Sequence, residues 1–248
     1  MTIAGSDSGG GAGIQADLKA FAAAGCFGTS AIVALTAQNT LGVAAVQELP
    51  TSFVEAQLEA IFSDIGVDAA KTGMLFSREL IETVADFLAQ HRVPLVVDPV
   101  MVASSGAKLL EYDAVDTLVR KLFPLATVVT PNLMEAEALA GASGTRHDIA
   151  QRIHDLGAPT VIVTGGHGEV AVDHFFDGRQ HVQIEVERHD VAATHGAGCT
   201  HSATLAALLA RGESLEAAAR GAARVASEAV RNGLVEIGAG EGPVNVLA

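Results

Sequence analysis

The segment with the clearest chemical potential is His195-Gly196-Ala197-Gly198-Cys199-Thr200, which lies directly before a stretch of helical periodicity. The first backbone N–H groups of a helix have no partner inside the helix, and the helix macrodipole adds positive potential there. The small residues Gly196, Ala197 and Gly198 leave room for these N–H groups to converge on one ligand. The segment therefore predicts an anion-binding site that stabilises negative charge on a transferred group.

Cys199 lies at the opening of the same predicted helix. A helix N-terminus stabilises a thiolate and lowers the pKa of the thiol, so Cys199 could accept a proton from a substrate hydroxyl. The alternative is a small buried apolar side chain, which describes most free cysteines. Cys26, between an Ala-rich helix and a strand, fits only this alternative.

Polar residues also follow two of the predicted strands. Asp98 ends an apolar strand and precedes Pro99, and Asn132 and Glu135 come just after another strand. Open α/β sheets bind ligands at the carboxyl ends of their strands. Carboxylates at such a place suit Mg²⁺, which is held partly through water and nucleotide phosphates. Helix N-caps and surface turns are the alternative interpretation.

Two further Gly-rich segments could bring backbone close to a ligand. Residues 5–13 connect a very short first strand to a helix, and residues 164–168 follow another strand, although both could equally be tight connections. The first segment matches neither the P-loop nor the dinucleotide-binding pattern in frame, which argues against both of those sites. His167 and His195 lack metal-ligand spacing, and we expect them to form hydrogen bonds rather than to catalyse.

Short apolar runs alternate with longer segments of helical period along most of the chain. This alternation predicts the α/β class, with a mostly parallel central sheet and helices on both of its faces. Strands are predicted over residues 29–37, 69–72, 95–97, 127–130, 161–164 and 170–176, with an antiparallel return over 181–186. Helices are predicted over residues 14–24, 52–65, 77–90, 113–122, 134–140, 148–156, 200–210 and 215–231. Thr51 and Ser52 with Glu55 resemble a capping box, Ser214 is a predicted N-cap, and the Ala-rich C-terminal third predicts close helix packing.

The length and charge of the chain limit its organisation and its partners. It has 248 residues, of which 29 are acidic and 15 basic, giving a formal charge of −14. A single domain over residues 1–248 is expected from this length. The negative field disfavours nucleic acids and anionic membranes as partners, and an anionic substrate would have to be held locally. Two distant cysteines form no disulfide framework, so we expect a cytoplasmic location.

A series of short segments carries a family resemblance that spans essentially the whole chain: Thr2-Ile3-Ala4-Gly5-Ser6-Asp7, Gly11-Ala12-Gly13-Ile14-Gln15-Ala16-Asp17, Ala37-Gln38-Asn39-Thr40, Lys71-Thr72-Gly73-Met74, Asp98-Pro99-Val100-Met101, Thr130-Pro131-Asn132-Leu133 with Glu135, Gly165-Gly166-His167 and the segment 195–200. In this order the series resembles the hydroxymethylpyrimidine/phosphomethylpyrimidine kinases of thiamin biosynthesis. The resemblance implies a ribokinase-like fold, a homodimer, and phosphorylation of a small pyrimidine with ATP and Mg²⁺.

The resemblance also implies roles for individual positions. Gln38 would hydrogen-bond the aminopyrimidine, and the pocket around the ring would be shaped by Gly5, Ala12, Met74 and Val100. Gly196, Ala197, Gly198 and Cys199 would form the anion hole, with Cys199 in the position of the base. The nucleotide phosphates and Mg²⁺ would be organised by Asp98, Asn132 and Glu135, and the backbone near Thr164 and Gly166 would approach the nucleotide.

The sequence departs from the family pattern at four places. The strand before Ala4-Gly5 has only three residues, which suggests a shortened start, and Thr164 stands where lysine is frequent. Ala197 replaces a frequent threonine, and His201 stands where an apolar residue is more usual. Two other functions stay open: a pyridoxal or pyridoxine kinase, which shares the fold, and a catalytically silent pyrimidine-binding protein.

Overall fold

The computed structural model describes residues 1–101, 112–165 and 172–248. Within these residues the strands are β1 (Thr2–Asp7), β2 (Ser30–Asn39), β3 (Gly42–Glu48), β4 (Ala70–Thr72), β5 (Leu95–Val97), β6 (Val128–Val129), β7 (Val161–Val163), β8 (Val172–Phe176) and β9 (His181–Glu185). The α-helices are α1 (Gly13–Ala23), α2 (Thr51–Ala60), α3 (Arg78–Gln90), α4 (Tyr112–Leu122), α5 (Leu133–Ala140), α6 (Arg146–Asp155), α7 (Ala197–Ala210) and α8 (Leu215–Arg231). A π-helical turn, Ile61–Ile65, extends α2.

The described strands form one sheet in the order β3-β2-β1-β4-β5-β6-β7-β8-β9. The neighbours from β2 to β7 run parallel, whereas β3 pairs antiparallel with β2, and β8 and β9 continue antiparallel beyond β7. The predicted α/β class with a mostly parallel sheet is therefore confirmed. The carboxyl ends of the parallel strands share one edge of the sheet, where this class binds its ligands.

Both faces of the sheet are covered by helices. Val96 and Val128 lie on one face, in a core that includes residues of α1, α7 and α8. Val97 and Val129, the next residues of the same two strands, lie on the opposite face and belong to the core that includes residues of α2 to α6. Alternate residues of a strand point to opposite faces, so strands buried on both sides need continuous apolar runs. This explains why β5 and β6 lack the alternation of a half-exposed strand.

Helices α7 and α8 pack closely, as the Ala-rich composition predicted. Ala203 and Ala207 of α7 share a buried cluster with Ala219 and Ala222 of α8. A Cβ added at Gly221 would lie 2.6 Å from a methyl group of Leu208, so a larger residue would require this side chain to move. Among the described helices none is both long enough and apolar enough to cross a membrane.

The structure differs from the predicted elements at the first edge of the sheet. β1 has six residues rather than three, because Ser6 and Asp7 continue the ladder opposite β2. β3 was not predicted, since its run of Val and Ala lies on a half-exposed hairpin and carries a weak apolar pattern. Gln38 is therefore the second-last residue of β2, just before the chain reverses into β3.

The predicted capping box at Thr51, Ser52 and Glu55 is wrong. Helix α2 begins after Pro50, and no side chain caps it. The predicted cap at Ser214 is confirmed, because its hydroxyl accepts a hydrogen bond from the N–H of Ala217. Side-chain caps satisfy helix N–H groups that would otherwise lack partners, whereas proline supplies a fixed φ at a helix start.

Candidate active site

The opening of α7, where the sequence predicts an anion hole, has two backbone amides without acceptors in the part of the chain that the structure describes. Gly196 caps the helix with φ of 84°, a left-handed conformation that favours glycine, and a Cβ there would overlap the carbonyl oxygen of Gly11. The N–H of Ala197 already donates to the carbonyl of Thr194 at 3.1 Å. Within the described residues, the N–H groups of Gly198 and Cys199 have no acceptor. These two amides are therefore the ones free to bind an anion, and a Cβ at Gly198 would meet no atom within 4 Å.

Cys199 lies near the start of α1, where the backbone N–H of Gly13 acts to lower the pKa of the thiol. Burial raises the pKa of the thiol to about 12; the Lys71 ammonium lowers it, and the Asp17 and Asp98 carboxylates raise it. The predicted lowering of the Cys199 pKa is therefore wrong in the protein without ligands. Desolvation disfavours the charged form of a thiol, and here it outweighs the helix N-terminus. The thiol is the dominant form at neutral pH.

A buried group of charges underlies the anion hole. The Lys71 ammonium lies 2.8 Å from Asp17 Oδ1 and 3.8 Å from Asp98 Oδ2, with no solvent exposure of the lysine side chain. Asp17 also accepts a hydrogen bond from the Thr2 hydroxyl at 2.6 Å. Burial alone would lower the pKa of Lys71, but the Asp17 charge raises it, so this lysine stays protonated. Our sequence interpretation assigned no role to Lys71 or Asp17, although a lysine inside an apolar strand is itself a signal of a buried partner.

The residues predicted to organise Mg²⁺ lie at the ends of β5 and β6. Asn132 and Glu135 form a capping box for α5: each side chain accepts a hydrogen bond from the other residue's N–H, both at 3.0 Å. The Glu135 carboxylate also accepts the N–H of Met101 at 3.4 Å. Asp98 Oδ2 accepts the hydroxyl of Ser202 at 2.7 Å. The alternative of N-caps thus holds for Asn132 and Glu135, while Asp98 is held from α7.

The two carboxylates nevertheless suit a divalent cation. Burial raises the pKa of Glu135 to about 8, and the nearby Asp98 charge adds to this effect. Two close carboxylates that disfavour each other's charge are stabilised by a cation between them. The described residues contain no group of three or more His, Cys, Asp or Glu arranged to hold a metal alone. Mg²⁺ commonly binds one or two carboxylates and takes its other ligands from water and phosphate, which matches this pair.

The predicted substrate-binding residues surround the loop between β1 and α1. A Cβ at Gly5 would overlap the terminal methyl group of Met74, so the glycine lets this side chain lie against the backbone. Ala12 is the N-cap of α1, and its N–H donates to Asp7 at 2.9 Å. Gln38 contacts His195, which in turn contacts Asp7. These contacts bring four of the five predicted residues around one loop.

Val100, the fifth predicted residue, lies beside the carboxylates instead. Its N–H donates to the carbonyl of Asp98 at 2.9 Å, and its side chain packs against the larger core. Our sequence interpretation treated Asp7 only as part of a motif, yet this carboxylate ties the loop together. Its position between Ser6 and a run of glycines was the available signal, because Asp readily accepts N–H groups of a following turn.

The loop after β7 is held by Asp173, a buried residue that the sequence interpretation did not identify. Thr164 donates its N–H to the carbonyl of Pro131 at 2.9 Å and so lies beside Asn132. The N–H of Gly165 donates to Asp173 Oδ1 at 2.6 Å, and His201 Nε2 lies 3.1 Å from Asp173 Oδ2. The approach does not have hydrogen-bond geometry, so His201 and Asp173 are buried neighbours rather than a bonded pair. Gly166 lies outside the described residues.

The comparisons with known proteins agree with this arrangement. The family model described as phosphomethylpyrimidine kinase matches residues 7–245. The hydroxymethylpyrimidine/phosphomethylpyrimidine kinase of Rhizobium meliloti is 49% identical over 253 residues, which are 99% of this chain and 95% of that protein. The thiamine biosynthesis bifunctional protein ThiED of Geobacter sulfurreducens is 48% identical over 254 residues; they are 99% of this chain but only 51% of that protein.

Solved structures from the same group superpose on the chain. The pyridoxal kinase from Staphylococcus aureus in complex with ADP gives a TM-score of 0.90 at 37% identity, covering 99% of this chain and 92% of that one. The phosphomethylpyrimidine kinase from Clostridium difficile 630 gives 0.81 at 40% identity, covering 92% and 97%. These matches confirm the ribokinase-like fold and kinase activity. The chain belongs to the phosphomethylpyrimidine kinase family.

Proposed function

We propose that this kinase transfers the γ-phosphoryl group of ATP to the hydroxymethyl group of 4-amino-5-hydroxymethyl-2-methylpyrimidine. It then phosphorylates the monophosphate, giving the pyrophosphate used in thiamin biosynthesis. The observation that carries the proposal is the convergence of three features around one loop: the free amides of Gly198 and Cys199, the Cys199 sulfur, and the carboxamide of Gln38. An acceptor site and an anion hole are the minimum that phosphoryl transfer requires.

In this arrangement the pyrimidine lies over the loop between β1 and α1. Gly5 and Met74 form an apolar wall for the ring, Ala12 completes this wall, and Gln38 bonds the polar edge of the ring, while Val100 lies beside the carboxylates. A cavity of about 550 Å³ opens on the other side of Gln38, but it is lined by Ser8 and residues of the β2–β3 hairpin rather than by Gly5, Ala12 or Met74. The substrate hydroxyl then points toward α7.

The transfer itself forms one bond and breaks one. The hydroxymethyl oxygen bonds to the γ-phosphorus as the bond from that phosphorus to the β–γ bridging oxygen breaks, and ADP leaves. The amides of Gly198 and Cys199 stabilise charge on the γ-phosphoryl oxygens. Cys199, in its thiolate form, takes the hydroxyl proton. Because the transition state of this reaction is loose, positioning and charge stabilisation contribute more than proton removal.

ATP and Mg²⁺ complete the proposed site. The metal would be held by Asp98 and Glu135, which fit it as a close pair of carboxylates, and when bound it neutralises charge on the β- and γ-phosphate oxygens. The backbone of Thr164 and Gly165 lies beside Asn132, where the nucleotide phosphates would pass. Thr164 carries no positive charge, so the free amides of α7 and the metal supply the compensation at this site.

The test is ADP release by the purified protein with Mg·ATP and one of four acceptors: the hydroxymethylpyrimidine, its monophosphate, pyridoxal or ribose, with product masses as confirmation. We expect turnover with both pyrimidines. Binding of pyrimidine without turnover would favour the silent binding protein instead. Turnover of the first pyrimidine alone would restrict the proposal to one step.

The second candidate is a pyridoxal kinase, favoured by the TM-score of 0.90 with the Staphylococcus aureus pyridoxal kinase. The two functions share the fold and the proposed phosphoryl-transfer residues, so only the acceptor distinguishes them. A kcat/KM with pyridoxal well above that with the hydroxymethylpyrimidine would establish this alternative.

We further propose that the kinase acts in the cytoplasm as a homodimer. Cys26 and Cys199 are both free, which suits a reducing compartment. The dimer follows from the family resemblance, and light scattering coupled to gel filtration tests it through the molar mass: one chain has a mass of 25.3 kDa.

A further inference from the structure

His195 and Asp7 form a buried pair beside the proposed pyrimidine pocket. His195 Nε2 lies 3.0 Å from Asp7 Oδ2, and their side chains are only 14% and 4% exposed. The Asp7 carboxylate also accepts the N–H groups of Gly9, Gly11 and Ala12 at 2.7 to 3.0 Å. Burial alone would raise the pKa of Asp7, but these hydrogen bonds and His195 lower it. A carboxylate can only accept, so Nε2 must carry the proton that points at it.

The imidazole of His195 is also fixed in place. A Cβ at Gly11 would overlap the ring, so the glycine allows the ring to lie directly against the backbone. The backbone N–H of His195 donates to Gly242 at 3.2 Å, and its carbonyl accepts from Val244 at 3.0 Å. The ring thus presents a protonated Nε2 at a constant position.

The protonated Nε2 also influences which end of the Gln38 carboxamide lies beside it. The nearer carboxamide atom lies 3.4 Å from His195 Nε2 and is placed as nitrogen. The one proton of Nε2 points at Asp7, and a second N–H group beside it would have no acceptor and would face a like partial charge, so the carboxamide oxygen is the favoured atom at this position.

Thr36 selects the same orientation from the other side. Its hydroxyl lies 3.0 Å from the Ser6 carbonyl and 3.2 Å from the second carboxamide atom of Gln38. The carbonyl can only accept, so the single hydroxyl proton goes to Ser6, and the lone pairs of the hydroxyl face Gln38. They require the carboxamide NH₂ there. Two independent neighbours thus turn the oxygen toward His195 and the nitrogen toward Thr36.

We propose that His195 and Asp7 are specificity-determining residues that fix the Gln38 carboxamide to read an aminopyrimidine. This inference rests on the proposed function. One lone pair of the fixed oxygen and one N–H of the fixed nitrogen remain for the ligand. An amino group next to a ring nitrogen offers the complementary donor and acceptor, as adenine does to glutamine in nucleic-acid recognition. Pyridoxal has no amino group beside its ring nitrogen and cannot form both bonds.

The test measures binding, so that it does not depend on turnover. Calorimetry gives the Kd of the hydroxymethylpyrimidine and of pyridoxal for the wild type, His195→Phe, Gln38→Ala and the double variant. In His195→Phe the Gln38 carboxamide can rotate, and it must be ordered again when the aminopyrimidine binds. Pyridoxal does not form both hydrogen bonds and needs no such ordering, so the ratio of the two affinities should fall by about two- to tenfold. In the Gln38→Ala background, His195→Phe should leave the ratio unchanged. His91→Phe, at a ring that stacks on Phe87, is the matched control.

A second measurement reads the pair directly. In the ¹⁵N spectrum of the wild type, His195 should carry a proton on Nε2, and Asp7→Asn should weaken that preference. An unchanged affinity ratio in His195→Phe overturns the proposal, as does an equal fall in the Gln38→Ala background or an unprotonated Nε2. A wild type that binds the pyrimidine selectively but transfers no phosphate contradicts the proposed function and leaves this inference standing.

Discussion

The anion hole makes opposite predictions for two glycines that lie two residues apart. Gly196 has a left-handed φ of 84°, and a Cβ there would overlap the carbonyl oxygen of Gly11. Gly198 lies inside the first turn of α7, and a Cβ there would meet no protein atom within 4 Å. Gly196→Ala should therefore damage the fold, whereas Gly198→Ala should damage only the reaction.

The expected magnitudes follow from these geometries. A non-glycine residue in the left-handed region costs about 1–2 kcal/mol, and the overlap with Gly11 adds to it, so Gly196→Ala should lose at least about 2 kcal/mol of unfolding free energy. Alanine is favoured over glycine in a helix by about 0.5–1 kcal/mol, so Gly198→Ala should be slightly more stable than the wild type. Its methyl group enters the space of the anion, and a phosphate displaced by about 1 Å should lower kcat/KM for ATP roughly a hundredfold.

Urea unfolding and steady-state kinetics on the same preparations measure both quantities. We expect Gly198→Ala to unfold at the same urea concentration as the wild type or a higher one, and to have lost most of its activity. A Gly198→Ala enzyme with the kcat/KM of the wild type would show that no phosphate passes the opening of α7. A loss of stability in Gly198→Ala equal to that in Gly196→Ala would show that the space beside Gly198 is filled.

Four further predictions concern the buried charges of the site. Because burial raises the pKa of Cys199 to about 12, the thiolate fraction grows with pH, so kcat of the wild type should rise from pH 7 to pH 9, while Cys199→Ala should be slow and flat; a flat wild-type profile would exclude the thiolate as base. The raised pKa of Glu135, about 8, means that Mg²⁺ displaces a proton at neutral pH, so the KM for Mg²⁺ should fall as the pH rises through 8, and Glu135→Gln should remove that dependence. Lys71→Met leaves Asp17 buried without its cation and should cost about 3–5 kcal/mol in urea unfolding, most of it recovered in Lys71→Met/Asp17→Leu; a loss below about 1 kcal/mol would contradict the ion pair. Asp173→Ala should raise the KM for ATP several-fold with little change in kcat, because the N–H of Gly165 loses its acceptor; an unchanged KM would leave Asp173 without a role in ATP binding.

The sequence was sufficient for the parts of the fold that obey strong local rules. Strands buried on both faces, such as β5 and β7, need continuous apolar runs, and these were recognisable. The prediction failed for β3, because the stability of that strand comes from pairing with β2 rather than from its own pattern. The prediction also failed for the start of α2, because the N-cap residue is Pro50 and no polar side chain caps the helix.

The sequence predicted which edge of the sheet the candidate residues occupy, but not which side chains they contact. Gln38 near the end of β2, Met74 after β4 and Cys199 in the first turn of α7 all lie at the edge of the sheet where the motif order predicted them. The pairs Asp7–His195 and Lys71–Asp17 join residues 188 and 54 positions apart. Such partners are set by the packing of the whole sheet, and no local spacing predicts them.

Cys199 shows why local rules can mislead at such a site. A helix N-terminus stabilises a nearby negative charge by about 0.3–1 kcal/mol, less than the 1.4 kcal/mol or so that one pKa unit represents. Burial among Asp17 and Asp98 acts in the opposite direction and raises the pKa of the thiol to about 12, because the single Lys71 is already engaged by Asp17. The amides of Gly198 and Cys199 carry no such cost, because they have no acceptor in the described structure and the helix fixes the direction of their dipoles. The opening of α7 is therefore better suited to stabilising the transferred group than to ionising the cysteine beside it.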